Sequence, residues 1–215
     1  MSLDTYLMFV GTCIIMTFVP GPSMAYLLAR SIAQGRKFGI ISLLGLITGS
    51  IVHLVAALVG LTAIFTRSTT ALTVVKWLGV TYLIYIGVLA FRSSGGSFTF
   101  NTENKNIQIK DSRAIFWQGF FTELLNPKIA IFYLAFLPQF ISSEGMHPTL
   151  QLLILGITVN VVGCLGGMLL VYFAAKVTKK FRSNGGLTLQ LNLASRVMGC
   201  LFFALAIRLV IEQVF

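Results

Sequence analysis

Acidic side chains are scarce in this sequence: six Asp and Glu stand among 215 residues, against 16 Lys and Arg. They are Asp4, Glu103, Asp111, Glu123, Glu144 and Glu212, too scattered to form a catalytic carboxylate pair. The two histidines, His53 and His147, lie far apart. A membrane enzyme acting on a lipid would need acidic, Cys or His groups clustered near an interface, and that cluster is missing. Cys13, Cys164 and Cys200 fall inside apolar runs without a metal-ligand spacing, so they read as small buried hydrophobes. The chain is therefore not expected to be an enzyme, and no catalytic residue, metal or cofactor is expected. Residues Met1 to Asp4 lack the basic start of a secretory signal, so the first apolar run is expected to persist as a membrane helix.

Charge of either sign is thin, at 10% of residues, whereas 56% are hydrophobic and the mean hydropathy is +0.89. Such a composition excludes an ordinary soluble domain and points to an integral membrane protein. The length suits a single domain of about six membrane helices at roughly 20–25 residues each. In a soluble protein a net charge of +10 would raise the question of nucleic acid. Here Lys and Arg sit between apolar spans, where they set topology and meet anionic lipid headgroups, so lipids and not nucleic acid are the expected partners.

Six spans are predicted, at about 6–30, 38–65, 71–91, 115–141, 149–175 and 193–215. The first is interrupted at Pro20-Gly21-Pro22 and the fourth at Asn126-Pro127. Proline removes a backbone donor and glycine permits unusual dihedrals, so both helices should be broken or sharply kinked there. Gly45 and Gly49 form a G-x-x-x-G pair that lets another helix approach closely. A polar linker at 93–113 divides the chain into halves of three spans, 1–92 and 114–215.

Arg30, Arg36 and Lys37 mark one basic loop, Arg92, Lys105, Lys110 and Arg113 a second, and Lys176, Lys179, Lys180 and Arg182 a third. The alternate loops carry only Arg67. By the positive-inside rule the basic loops are cytoplasmic and both termini periplasmic. Because each half has an odd number of spans, the halves enter the membrane from opposite sides. The fold expected is an all-α integral membrane protein, six transmembrane helices arranged as two inverted three-helix repeats, with helices 1 and 4 broken at proline motifs. Paired broken helices in corresponding places are a pointer to the binding site of a secondary transporter.

The stretch Glu123 to Lys128 stands out within this pattern. A charge at the centre of a membrane helix costs about 2.5–3.5 kcal/mol even on insertion scales, so such residues are candidates for function. Glu123 is the only acidic residue well inside a predicted span. It either neutralises Lys128 or serves transport directly, and the two roles are compatible.

The motif Phe18-Val19-Pro20-Gly21-Pro22-Ser23-Met24, the Arg30 to Lys37 loop with Gly35-Arg36, Gly45 to Gly60 of span two, and Asn126-Pro127-Lys128 through Pro138-Gln139-Phe140 resemble the LysE/RhtB superfamily of bacterial amino-acid exporters. The likeness runs from end to end. It implies an inner-membrane exporter of amino acids or related metabolites without a catalytic cycle or tightly bound cofactor. Some members carry an acidic residue in span two near the Gly49 position, where this chain has Ser50 and, a turn later, His53. That departure leaves charge handling to span four.

Beside the resemblance stands the chemistry of the breaks. A helix restarting at Pro22 or Pro127 begins with amides that lack intrahelical acceptors and favour anions. The candidate substrate site therefore comprises Pro20, Gly21, Pro22, Ser23, Met24, Gly49, His53, Glu123, Asn126, Pro127, Lys128 and Asn160. The helix starts would receive a carboxylate and Glu123 an ammonium. Asn126 is either an N-cap or a substrate ligand, and Lys128 either holds the carboxylate or snorkels to an interface. His53 either relays protons with Glu123 or makes an interhelical hydrogen bond. Tyr26, Phe132, Tyr133, Phe136 and Phe140 shape the cavity or simply pack. The expected activity is export of small neutral amino acids of the threonine, homoserine or leucine kind by proton antiport. A passive facilitator and an exporter of basic amino acids are the alternatives, and a homodimer is compatible with Gly163, Gly166 and Gly167 on span five.

Overall fold

The computed structural model describes residues 1–18, 21–67, 111–142 and 146–181, with isolated positions between 73 and 88 and at 200 and 207. Within it are six α-helices: α1 (Leu3–Phe18), α2 (Pro22–Gln34), α3 (Arg36–Arg67), α4 (Ser112–Leu124), α5 (Pro127–Ile131) and α6 (Pro148–Phe181). A π-helical turn, Phe132–Phe136, and a 3-10 turn, Leu137–Phe140, continue α5. No strand occurs among the described residues. The segments Arg36–Leu61 and Pro148–Ala174 are each long and apolar enough to cross a bilayer alone. The pairs α1/α2 and α4/α5–Phe140 qualify only together, bent by 56° and 49°. The described residues are thus all-helical, with two unbroken candidate membrane crossings and two broken ones. The expected third and sixth spans, Pro20, and residues 93–110 of the linker lie outside the described residues, apart from the isolated positions.

Both breaks follow from proline. Pro22 and Pro127 each occupy the first positions of a helix, where the missing N–H costs nothing. The residue before a proline is pushed out of the helical region. Gly21 accordingly has φ −169° and ψ 177°, and Asn126 has φ −79° and ψ 107°.

The expected basic loop at 29–37 is instead helical, and so is the basic stretch from Lys176 as far as Phe181, with Arg182 outside the described residues. The basic stretch 29–37 contains a single non-helical residue, Gly35, at φ 87°. Its N–H closes onto the Ser31 carbonyl at 3.1 Å, and its lack of a Cβ permits the left-handed conformation that reverses the chain. At the other end α6 runs through Lys176, Lys179 and Lys180 to Phe181. Thirty-four residues of helix reach about 51 Å. A hydrocarbon layer of about 30 Å leaves its basic last turns in the headgroup zone. The basic residues mark a membrane boundary and not a change of backbone.

Glycine sets the closest packing. Gly45 lies against the Phe116 carbonyl, and a Cβ on Gly49 would sit 2.7 Å from the Phe120 carbonyl oxygen and 2.8 Å from Glu123 Cβ. From the facing side, a Cβ on Gly119 would meet the Ser42 carbonyl at 2.7 Å. Helices α3 and α4 therefore touch backbone to backbone, as G-x-x-x-G permits. Gly166 packs on Thr17 and Gly167 on Leu43, so these two serve intrachain contacts and lend no support to a dimer seam. An aromatic core stacks Phe9, Phe132, Phe136 and Phe140, with centroid separations of 4.8–6.5 Å. Gln151, fully buried, fastens the Ser142 amide (3.0 Å), the Ser142 carbonyl (2.9 Å) and the Met146 carbonyl (2.6 Å) to α6.

Gly45→Val should destabilise the protein by about 1–3 kcal/mol or more, because the obstacle is backbone. Gly60, with nothing near its Cβ position, should accept alanine without loss. Thermal unfolding of both variants in detergent measures the difference.

Candidate functional site

The two helix breaks meet. Ser23, in the first turn of α2, donates its hydroxyl to the Glu123 carboxylate at the end of α4. Asn126 Nδ2 donates to Ser23 Oγ at 2.8 Å, while Asn126 Oδ1 accepts the Lys128 N–H at 3.1 Å. Glu123 and Asn126 are buried, with 7% and 3% of their surface exposed. The amide of Asn126 thus does two jobs, capping α5 and gripping the opposite break, which joins both readings of that residue.

Lys128 neither snorkels nor stands alone. Its Nζ donates to the Met16 carbonyl at 3.0 Å. Met16 lies in the last turn of α1, where carbonyls lack intrahelical donors and carry the negative end of the helix dipole. A regular helix would turn Lys128 and Glu123 apart; across the break at Pro127 both border the same cavity.

A second polar group lies on α3, the π turn and α6. Tyr133, fully buried, has its hydroxyl 3.1 Å from Ser50 Oγ and 3.4 Å from the Gly156 carbonyl, and accepts from Asn160 Nδ2 at 2.8 Å. Asn160 Nδ2 also donates to the Gly156 carbonyl at 3.0 Å. Its Oδ1 is a buried acceptor with no hydrogen-bond partner. His53 connects the two groups from behind: Nε2 is 3.2 Å from the Glu123 carbonyl oxygen, and the ring stacks on Tyr133 at 6.2 Å. That is the interhelical hydrogen bond considered for a lone membrane histidine.

Residues of both groups border a cavity of about 120 Å³. Gly21, Ser23, Met24, Glu123, Lys128 and Asn160 line it, and Asn126 and Ser50 join them. Apolar walls come from Cys13, Met16, Leu46, Phe132 and Val159. Gly49, His53, Pro22 and Pro127 lie behind the wall: Gly49 is taken up by contact with α4, and the prolines shape the backbone. Phe132 does shape the cavity, whereas Phe136 and Phe140 pack in the core. Tyr26 reaches the Ile115 carbonyl at 2.7 Å. Sequence reasoning undervalued Tyr133, one aromatic among several, and could not find the Met16 carbonyl, because a backbone acceptor leaves no trace in side-chain identity. Among the described residues no group of His, Cys, Asp and Glu is placed to hold a metal.

Residues 14–213 match the model of the LysE type translocator family. The chain belongs to that family. It is 30% identical over 187 residues to the uncharacterized membrane protein YrhP of Bacillus subtilis, covering 85% of this chain and 88% of that one. It is 32% identical over 163 residues to a homoserine/homoserine lactone efflux protein of Salmonella typhimurium, covering 75% and 76%. An uncharacterized membrane protein of Vibrio cholerae is 26% identical over 201 residues, covering 93% and 96%. No solved structure matches the chain. A translocator, not an enzyme, is the class these observations establish, and its apolar helices make it a multi-pass membrane protein.

The Ser23–Asn126 contact joins the two breaks, so Ser23→Ala and Asn126→Ala should be non-additive, with a coupling of about 0.5–3 kcal/mol. A double-mutant cycle of thermal unfolding in detergent measures it.

Proposed function

We propose that the protein exports small neutral amino acids from the cytoplasm in exchange for protons. The observation that carries this reading is the convergence of two broken helices on one buried carboxylate at the wall of a cavity. A zwitterion needs a negative and a positive pole. Glu123 supplies the first. The second is the start of α2, which has no side-chain cap and presents the amides of its first turn. The start of α5 is less available, since Asn126 already takes the Lys128 amide. A cationic amino acid would call for a second carboxylate, and among the described residues Glu123 is the only acidic one lining the cavity. The name of the Salmonella relative, an efflux protein for homoserine and its lactone, agrees with a small uncharged side chain.

Glu123 is the candidate proton carrier, and His53, bonded to its carbonyl, the candidate relay. Export of a net-neutral zwitterion against one entering proton moves one charge inward, worth about 2.3 kcal/mol per 100 mV. This sustains roughly a fifty-fold outward gradient. The protein works in a bacterial inner membrane with both termini periplasmic, needs no resident cofactor, and is surrounded by lipid; whether two copies associate does not enter the mechanism.

Efflux of a panel of amino acids from loaded proteoliposomes should reveal neutral substrates, and Glu123→Gln should slow their net export at least about ten-fold. Export that continues at full rate after the proton gradient and membrane potential are collapsed would sink the antiport reading. For topology, a membrane-impermeant thiol reagent applied from outside should label Cys at position 147 and not Cys at position 34, in a background lacking the native cysteines.

A further inference from the structure

Resting on the export reading, we infer that Asn160 selects among the neutral amino acids. Its Oδ1 is the acceptor for a hydroxyl on the substrate side chain, so the carrier prefers hydroxylated amino acids to hydrocarbon ones of the same shape.

The two charged poles of a zwitterion leave one polar part of the cavity wall unused. The ammonium is assigned to Glu123 and the carboxylate to the start of α2, whereas Ser50 of α3 and Asn160 of α6 line the same cavity. Asn160 Oδ1 is buried and, among the described residues, no donor reaches it. The amide cannot mend this by turning over. Its Nδ2 donates to the Tyr133 hydroxyl at 2.8 Å and to the Gly156 carbonyl at 3.0 Å. Turned over, the amide would set Oδ1 against that carbonyl, oxygen to oxygen. Tyr133 is itself held, with its ring fully buried and its hydroxyl 3.1 Å from Ser50 Oγ and 3.4 Å from the Gly156 carbonyl. The network therefore fixes which end of the Asn160 amide is left for a ligand.

A buried acceptor without a donor is destabilising, and a ligand that brings the donor removes that cost. The donor called for is uncharged, because among the described residues the only carboxylate lining the cavity is that of Glu123. Phe132, Val159 and Gly163, which line the cavity too, offer no side-chain donor. A hydroxyl on the substrate meets Oδ1. A hydrocarbon side chain of the same size fills the space and leaves the acceptor unmet. Sites built to receive a hydroxyl reject the analogue lacking it far more strongly than an apolar pocket rejects one methylene. Asn160 is then a specificity-determining residue, and Tyr133, which holds its Nδ2, a positioning residue.

The test compares efflux of threonine with valine, and of homoserine with norvaline, from proteoliposomes; each pair differs by a hydroxyl in place of a methyl. For wild type, kcat/KM for the hydroxylated member should be at least about ten-fold the higher. Asn160→Leu removes the amide and keeps most of its volume. It should bring the members of each pair to within about two-fold, by loss on the hydroxylated substrate and gain on the hydrocarbon one. A merely structural asparagine would lower both together and preserve the ratio. Tyr133→Phe frees the amide to turn and should narrow the ratio as well, and it decides the matter should Asn160→Leu fail to fold. Equal transport of both members by wild type would overturn the hydroxyl subsite and leave amino-acid export standing, and so would a ratio that the variants leave unchanged. A wild type that exports none of these amino acids would overturn the export reading and this inference with it.

Discussion

A carboxylate inside a membrane-thick protein must find its donors within the protein, because the surrounding hydrocarbon offers none. Around Glu123 those donors come from the other half of the chain and from the far side of its own helix break. Ser23 donates its hydroxyl hydrogen bond to it, Asn126 holds Ser23 in place, and Lys128 borders the same cavity. Each of these residues is positioned by a proline that ends one helix and begins the next. The prolines, the cap and the buried charge form one arrangement: the breaks bring Ser23 to the carboxylate, and Ser23 joins the two breaks through both Glu123 and Asn126.

Helix ends are what this arrangement trades in. An unbroken helix hides its polar backbone, while a broken one exposes amides at one face of the gap and carbonyls at the other. The start of α2 and the end of α1 both open on the cavity, one positive in character and one negative. A protein with six acidic residues can thereby provide both signs of potential near its centre from main-chain groups.

Much of this was legible in the residues. Pro20-Gly21-Pro22 and Asn126-Pro127 announce the breaks because proline chemistry is local, and a lone glutamate in an apolar run draws attention on energetic grounds alone. The partner of Lys128 was not legible, since a carbonyl oxygen is common to every residue. Nor was the role of Tyr133. The π turn at Phe132–Phe136 shifts the helical phase, so counting residues from Pro127 does not tell which aromatic faces Ser50 and Asn160. The basic stretches look like loops in the sequence because charge commonly ends a span. Helices here outlast the hydrocarbon, and a single glycine makes the turn between α2 and α3. The inverted-repeat arrangement is read from the pattern of breaks and basic segments, since residues 93–110 of the linker and most of the third and sixth spans lie outside the described residues.

The seam between α3 and α4 bears on how such a cavity could change its exposure. Gly45, Gly49 and Gly119 bring the two main chains into direct contact, and a surface of carbonyls and Cα atoms has no flexible side chains with which to absorb sliding. Helix α3 belongs to the first half of the chain and α4 to the second, so the seam welds the halves and resists rocking of one as a block against the other. Among the described residues, the parts that end on the gap, α1, α2 and the segment from Pro127 to Phe140, lie outside that seam.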